Sequence, residues 1–503
     1  MKIEKLSIAA FWAAIGLMGL LMAVRLYLII SFAEPLQIIT SGDEQASLFS
    51  VWKAVNDQAV YTDPTRSPYT MSFFNGLFYY SYGLWTSFWL ATLSLSDSWL
   101  PTVSRFFSLL GVAAAWLSLT RLLQISGARV CGNTDIISRL MPPACASVLC
   151  IGPLMGFWAF TVRPDLWALV FEIIAVLAFV RLYAEKNLTA VLLAVVFLLL
   201  GWSFKQASIG VIAGIGLFLL FERQWRLLAI YTVLFIAVWT TIIYLGGELY
   251  RHSIFFTQIQ LEYSLSHSAR VWSNGLSKSL PIVGPLAVVF VVLVKNQTFR
   301  TFFLGNWICR FFLINLGTSS LIIFLMTIQN GSAENYLFTP LFLASGLLVC
   351  GHAASRSQLS GMSSFNAVLL TTTGVQALLC CLVLAGVIGV LDGTKTHRQW
   401  VDTARCINQL PKPIFTEGTY LSLPWMTESA EPFVLSYTYS RARKSGIPHE
   451  KDGIGGRINN GEFATLAISR NSPNGGYDGA DLLNYTLQPT KCGALSIWSR
   501  ARP

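Results

Sequence analysis

Long apolar runs separated by short polar stretches fill most of this chain. The first, residues 6–24, is about twenty residues long, enough at ~1.5 Å per residue to cross a ~30 Å hydrocarbon layer. It follows Met1-Lys2-Ile3-Glu4-Lys5, as the core of a signal peptide would. It lacks a small-residue cleavage site, so it reads as a retained signal-anchor helix with Arg25 as an interface anchor beyond it. Further runs occupy 104–123, 141–160, 166–180, 188–204, 209–221, 227–245, 280–294, 311–328, 336–350 and 365–391. Together they predict eleven spans.

Two stretches break this rhythm. Between Gln45 and Tyr61 the apolar residues Leu48, Phe49, Val51, Trp52 and Val55 fall at helical spacing, which predicts an amphipathic helix along the membrane surface, ended at Tyr61-Thr62-Asp63-Pro64. Residues 67–96 carry no formal charge but are crowded with Phe, Tyr and Trp, the residues of the membrane–water interface. Charge parity decides how to read that segment. If it spans, the basic loop with Arg121, Arg129 and Arg139 falls outside. If it lies in the interface or re-enters, that loop and most later basic loops are cytoplasmic, as the positive-inside rule expects. The second reading gives a cytoplasmic N-terminus, an outer loop at 246–277 and an outer C-terminus.

Composition supports this picture. Of 503 residues, 54% are hydrophobic and 12% charged, about half the charge of a soluble domain. The last 112 residues hold 23 of the 60 charged side chains. We therefore expect an all-α polytopic membrane domain over 1–391 and a small extracytoplasmic soluble domain over 392–503. Its β-like runs at 432–438 and 463–469, and the turn-rich 471–476, suggest an α/β or α+β fold. The net charge of +10 sits mostly in short loops and shows no nucleic-acid motif. Six of nine cysteines, at 145, 150, 309, 350, 380 and 381, lie in apolar runs and read as inert. Cys406 and Cys492 are the two in the tail, and can pair if the tail faces an oxidising compartment.

The polar residues at span ends are where chemistry is expected. Asp43 and Glu44 form an acidic pair past the first span. Under the favoured topology, Arg105, Arg163, Asp165, Lys205, Gln206, Glu334 and Asn335 join them on the outer side. A carboxylate within reach of an acceptor hydroxyl can take its proton, and Asp43 suits that role. Glu44 would orient the acceptor or hold Asp43. Arg105, Arg163 and Lys205 would meet an anionic leaving group, Arg by bidentate contact and Lys as a point charge. Each also reads as a snorkelling anchor. Asp165 follows Pro164, so it reads equally as the N-cap of the next helix or as a substrate contact, and it can do both by pairing with Arg163. Asn335 and Tyr336 would touch sugar or lipid, or cap and anchor a helix. Arg251, His252, Glu262 and His267 are further polar residues of the 246–277 loop. No DxD arrangement or metal-ligand spacing is present, so neither metal nor cofactor is expected.

These features resemble the GT-C superfamily of polyprenyl-phosphate-sugar-dependent glycosyltransferases, in particular family 39, the protein O-mannosyltransferases and lipid A aminoarabinose transferases. The likeness rests on Asp43-Glu44 after the first span, the interface helix, Tyr61-Thr62-Asp63-Pro64, and Arg105 opening the next span. It continues with Arg163-Pro164-Asp165, Lys205-Gln206, and Gly331-Ser332-Ala333-Glu334-Asn335-Tyr336. It covers roughly residues 1–350 and not the tail. It implies transfer of a sugar from a polyprenyl-phosphate carrier to an acceptor hydroxyl of a glycan, lipid or protein. The transfer would take place on the outer face of a membrane, the bacterial inner membrane being expected, and with inversion. A transporter or lipid flippase is the alternative; it would be expected to show inverted repeats, and none is visible.

Overall fold

A computed structural model describes residues 2–30, 44–131, 136–255, 263–295, 305–329, 331–355, 371–376, 394–417, 421–429, 436–469 and 480–501, with 302, 378, 379, 381 and 382. The chain forms two compact units, each built from several separate stretches.

The first unit combines Met1–Leu26, Ser108–Ile242 and Glu262–Val387. Among the described residues, five helices are long and apolar enough to cross a membrane: Asp97–Val130, Asn187–Phe204, Trp225–Leu245, Trp307–Thr327 and Glu334–Ala354. Leu265–Ser277 and Leu280–Lys295 count as a sixth if taken together, although they meet at 90°. The expected eleven included shorter segments. Gly210–Phe221 has only 12 residues, and Asp165–Leu182 carries Asp165, Glu172 and Arg181 within its 18. The 365–391 run lies largely outside the described residues.

Three expectations change. Residues 141–160 are not one span: the helix Ile136–Cys150 contains Pro142 and Pro143 and stops, and a separate 3₁₀ turn follows at Gly156–Phe160. The helix runs through both prolines and ends before Gly152-Pro153; Pro removes a backbone donor and crowds the preceding turn, a cost that hydropathy does not register. The 246–277 stretch is not simply a loop, because it holds the helices Gly247–Phe255 and Leu265–Ser277. In the tail, residues 436–438 open a helix, Ser436–Lys444, rather than extending a strand.

The helix Phe338–Ser355 is the packed centre of the first unit. Its lining residues Leu341, Phe342, Leu343, Leu347 and Leu348 are buried. Nearby, Phe179 stacks on Phe311 with ring centroids 5.0 Å apart, and Phe218 meets Phe311 edge-on at 5.2 Å. Such aromatic pairs add about 0.5–1.5 kcal/mol beyond burial. This density fixes the start of Phe338–Ser355, and so the turn that precedes it.

The second unit combines Tyr27–Phe107, Ile243–Leu261 and Ile388–Pro503. Its sheet has the order β1-β2-β4-β3, with β1 Ile414–Thr416, β2 Thr465–Ile468, β3 Tyr485–Cys492 and β4 Leu495–Arg500. β1 and β2 are parallel and the remaining pairs antiparallel. The β1–β2 crossover carries helices Ser436–Lys444 and Gly453–Asn459, an α+β arrangement. The amphipathic helix appears as Glu44–Val55, and the aromatic segment forms a 17-residue helix, Gly76–Thr92. At ~1.5 Å per residue that helix reaches about 25 Å, short of a full hydrocarbon layer.

The 44–75 stretch supplies core residues to the tail. Phe49 packs with Ile407, Ile414, Leu423 and Ile497, while Tyr69 packs with Phe415, Tyr439, Ile454 and Leu466. The Tyr69 hydroxyl donates to the Glu450 carbonyl at 3.0 Å, and Glu450 N–H donates to the Thr65 carbonyl at 2.8 Å. Cys406 and Cys492 form a disulfide, Cα atoms 5.6 Å apart, tying helix Thr394–Asn408 to β3. It sits in the cluster that receives Phe49. Replacing both cysteines by serine is expected to destabilise this unit by about 2–5 kcal/mol, read as lower thermal stability and faster proteolysis of the tail. Unchanged proteolysis would show that the bridge contributes nothing. Cys145, Cys150, Cys309 and Cys350 are buried free thiols, as expected; Cys381 is exposed, and Cys380 lies outside the described residues.

Candidate functional site

The charged residues singled out in the first unit converge on one carboxylate. Asp165 opens the helix Asp165–Leu182, where Pro164 holds the N-cap position and makes no side-chain cap bond. The capping reading of Asp165 is therefore replaced: its side chain turns to tertiary partners. Oδ1 accepts from Lys205 Nζ and, at 2.5 Å, from Asn335 Nδ2. Oδ2 accepts from Arg163 Nε at 3.4 Å. The Asp165 side chain is 2% exposed. A buried carboxylate tolerates such a position only when paired and hydrogen-bonded.

Local backbone explains the convergence. The helix Asn187–Phe204 ends at Lys205, which is extended at φ −139°, ψ 118°. A cation suits a helix C-terminus, as an anion suits the N-terminus that Asp165 occupies. Asn335 and Tyr336 lie in the 3₁₀ turn Glu334–Leu337, directly before the central helix. Lys205 Nζ stands 4.1 Å from the Tyr336 ring centroid, and the Arg163 guanidinium lies 4.9 Å from the Trp158 ring. Both are cation–π contacts, worth more when desolvated. Neither cation is a snorkelling anchor: the Lys205 and Arg163 side chains are 9% and 11% exposed. Gln206 follows in the turn after Lys205 and is half-buried.

A cavity of about 30 Å³ opens beside this cluster, lined among others by Asp165, Lys205, Ser208, Asn335, Tyr336 and Thr339. That is room for a water or two. Glu172 lines it as well, and its Oε2 accepts from Thr339 Oγ1 at 2.5 Å. Glu172 is seven residues after Asp165, on the same helix face and ~10 Å deeper. Sequence reading passed over it, although an acid inside the apolar run 166–180 was a visible signal. Glu334 faces elsewhere, accepting from Lys278 Nζ at 2.9 Å. His267, which reads as an exposed loop residue, is hydrogen-bonded to Ser332, its Nε2 lying 3.0 Å from the carbonyl oxygen. Arg251 donates to the Tyr244 carbonyl at 3.5 Å, and Glu262 lies outside the described residues.

The second unit holds Glu44 and Arg105. Arg105 donates from Nε to Glu44 Oε1 at 2.9 Å and from Nη2 to Oε2 at 2.7 Å, with both side chains at most 3% exposed. This is the bidentate geometry that makes Arg–carboxylate pairs strong. Asp43 precedes Glu44 in sequence and lies outside the described residues. Glu44→Ala is expected to destabilise the protein by about 3–5 kcal/mol, because it leaves a buried guanidinium without its carboxylate. Glu44→Ala/Arg105→Met should recover part of that loss. A thermal-stability series in which the double variant is no better than the single would contradict this account of the pair.

These observations leave a buried centre in which two cations, each against an aromatic ring, and an amide surround one carboxylate. Among the described residues no group of three or more His, Cys, Asp or Glu is arranged to hold a metal ion.

No protein-family model matches the sequence, and no curated protein does. Among the solved structures that match, two align over nearly their whole length. ArnT from Cupriavidus metallidurans in the apo state aligns with a TM-score of 0.57 at 14% identity, covering 97% of this chain and 98% of that one. The same protein bound to undecaprenyl phosphate aligns at 0.56 and 12%, covering 96% and 97%. At such identity the likeness speaks for architecture alone: the chain has an ArnT-like GT-C fold over 97% of its length, its small C-terminal sheet included.

Proposed function

We propose that this protein is a membrane glycosyltransferase that takes its sugar from a polyprenyl-phosphate carrier and transfers it to an acceptor hydroxyl. The observation that carries the reading is the Asp165 centre. Arg163 and Lys205 share one carboxylate, so the three groups in direct contact hold one positive charge in excess. A phosphate is the anion that suits a guanidinium and an ammonium together. The fold agrees, since a protein of that architecture has been solved with undecaprenyl phosphate bound.

In this reaction the acceptor oxygen attacks the anomeric carbon as the bond to the phosphate oxygen breaks. The bonding electrons leave with the phosphate, and Arg163 and Lys205 stabilise the charge that develops there. The acceptor proton passes to Asp43, the general base. A phosphate needs no proton to leave, so a single carboxylate suffices and the anomeric centre inverts. We assign Asn335 and Asp165 to holding Lys205 and its neighbours in place, Tyr336 to shielding the ammonium, and Gln206 to a polar contact beside it. The Glu44–Arg105 pair would fix the chain at the residue next to Asp43. The Cys406–Cys492 bridge favours an oxidising, extracytoplasmic tail, in line with an inner-membrane protein whose N-terminus is cytoplasmic.

The test is carrier binding. Native mass spectrometry of the purified protein with undecaprenyl phosphate should show one tightly bound lipid that is lost or weakened at least about ten-fold in Lys205→Gln/Arg163→Gln. Equal binding by parent and variant would remove the phosphate role from this centre.

A further inference from the structure

The proposed transfer leaves Glu172 without a role. Yet it is buried inside an apolar run, where an acid is costly unless it is held or used. Its neighbours belong to the elements that build the Asp165 centre. Oε2 accepts from Thr339 Oγ1 at 2.5 Å, and Thr339 lies four residues after Asn335 at the start of the central helix. The Ser208 hydroxyl bonds to the same carboxylate, and Ser208 N–H donates to the Lys205 carbonyl at 3.1 Å. Glu172 Cγ also lies beside Gly201: a Cβ on that glycine would stand 3.9 Å from it and 3.3 Å from the Ala168 carbonyl oxygen. The Gly201 carbonyl in turn accepts from Lys205 N–H at 3.0 Å. One side chain on the Asp165 helix is thus tied both to the turn that carries Lys205 and to the helix that follows Asn335.

Close packing does not set these positions alone. The cavity of about 30 Å³ is lined by Asp165 and Glu172 together, so their common neighbours lack support on that side. Asn335 is one of them. Its Oδ1 is buried without a hydrogen-bond partner among the described residues, and its amide is anchored through the Nδ2 bond to Asp165. We infer that Glu172 is a positioning residue for this centre. It clamps the Lys205–Ser208 turn and the start of the central helix to the Asp165 helix, so that the Lys205 ammonium and the Asn335 amide meet on Asp165 Oδ1. A carboxylate suits this task because it accepts from two hydroxyls at once. The consequence for catalysis rests on the proposed role of Lys205; the clamp itself rests on geometry.

The experiment compares Glu172→Leu with Glu172→Gln. Both remove a charge that Lys205 feels, but the Gln amide can still bond the two hydroxyls. Leu suits a membrane helix better than an acid does, and the stranded hydroxyls can turn to their own backbone, so both variants should fold. Purified protein in detergent is exposed briefly to acetic anhydride, and acetylation at each lysine is read by peptide mass spectrometry. In Glu172→Leu the labelling of Lys205 should rise about ten-fold or more, the equivalent of one lost hydrogen bond to a charged group. Lys53, buried in the second unit, should stay as protected as in the parent. Glu172→Gln should keep Lys205 labelling within about three-fold of the parent. Thr339→Val should reproduce part of the rise and add little to Glu172→Leu, because it cuts the same tie. Parent-like labelling of Lys205 in Glu172→Leu, an equal rise in both Glu172 variants, or a matching rise at Lys53 would overturn the inference. Undecaprenyl phosphate binding is measured on the same samples. If Lys205→Gln/Arg163→Gln binds the lipid as the parent does, the phosphate reading fails, and the Lys205 labelling still decides the clamp.

Discussion

Asp43→Asn protein should insert, fold and bind its lipid donor as the parent does, and transfer sugar about 10²–10⁴-fold more slowly, the usual contribution of a general base. An acceptor hydroxyl is a poor nucleophile until its proton is removed, and no second acid is required because phosphate leaves unassisted. The amide of Asn keeps the size and polarity of the carboxylate and cannot accept the proton. The loss should therefore fall on kcat with donor KM little changed. It should also be smallest with acceptors of low hydroxyl pKa, which part with their proton more readily. A variant with near-parent kcat would show that the base is another group.

The second large effect concerns the Asp165 centre, where stability and catalysis separate. Asp165→Ala leaves Lys205 and Arg163 buried without their shared carboxylate, and is expected to destabilise the protein by about 3–5 kcal/mol. Thermal denaturation in one detergent checks this. Lys205→Gln removes one member of the pair, so its structural cost should be smaller. Its rate should fall about 10²–10³-fold if the ammonium stabilises the departing phosphate, the range seen when one transition-state donor is removed. Lys205→Arg should rescue poorly, because the longer guanidinium cannot place one compact point charge against Asp165 Oδ1 as the ammonium does. A Lys205→Gln protein that is less stable yet turns over normally per folded molecule would make Lys205 purely structural.

Much of the architecture was legible because bilayer burial writes itself into composition. The apolar runs, the amphipathic helix at 44–55 and the more highly charged tail follow from hydropathy and charge alone; that 44–75 lends Phe49 and Tyr69 to the core of the tail does not. Helix ends and helix neighbours were harder. The Gly152-Pro153 step interrupts a run that hydropathy reads as continuous, and the 246–277 helices carry too few apolar residues to stand out. At the candidate site, Arg163, Asp165, Lys205 and Asn335 were each visible as polar residues at span ends. The Asp165–Arg163 pairing was legible, but that Asp165 also gathers Lys205 and Asn335 could not be read, because contacts across 40 and 170 positions depend on how helices pack. The same holds for Glu44 and Arg105: each was noticed separately, and the bidentate pair joins them across 61 positions. Glu172 was missed because a single acid in an apolar run did not disturb the span reading, although its type and place marked it.

The central claim is that a sugar leaves a polyprenyl phosphate in this protein. The direct measurement incubates purified protein in nanodiscs with a panel of polyprenyl-phosphate sugars and a membrane extract as acceptor, following free polyprenyl phosphate and acceptor mass together. The account predicts that one donor yields polyprenyl phosphate and an acceptor heavier by that sugar in equal amounts, and that neither product forms with Asp43→Asn. Movement of intact donor between leaflets, with no polyprenyl phosphate released from any member of the panel, would contradict it and point to lipid transport.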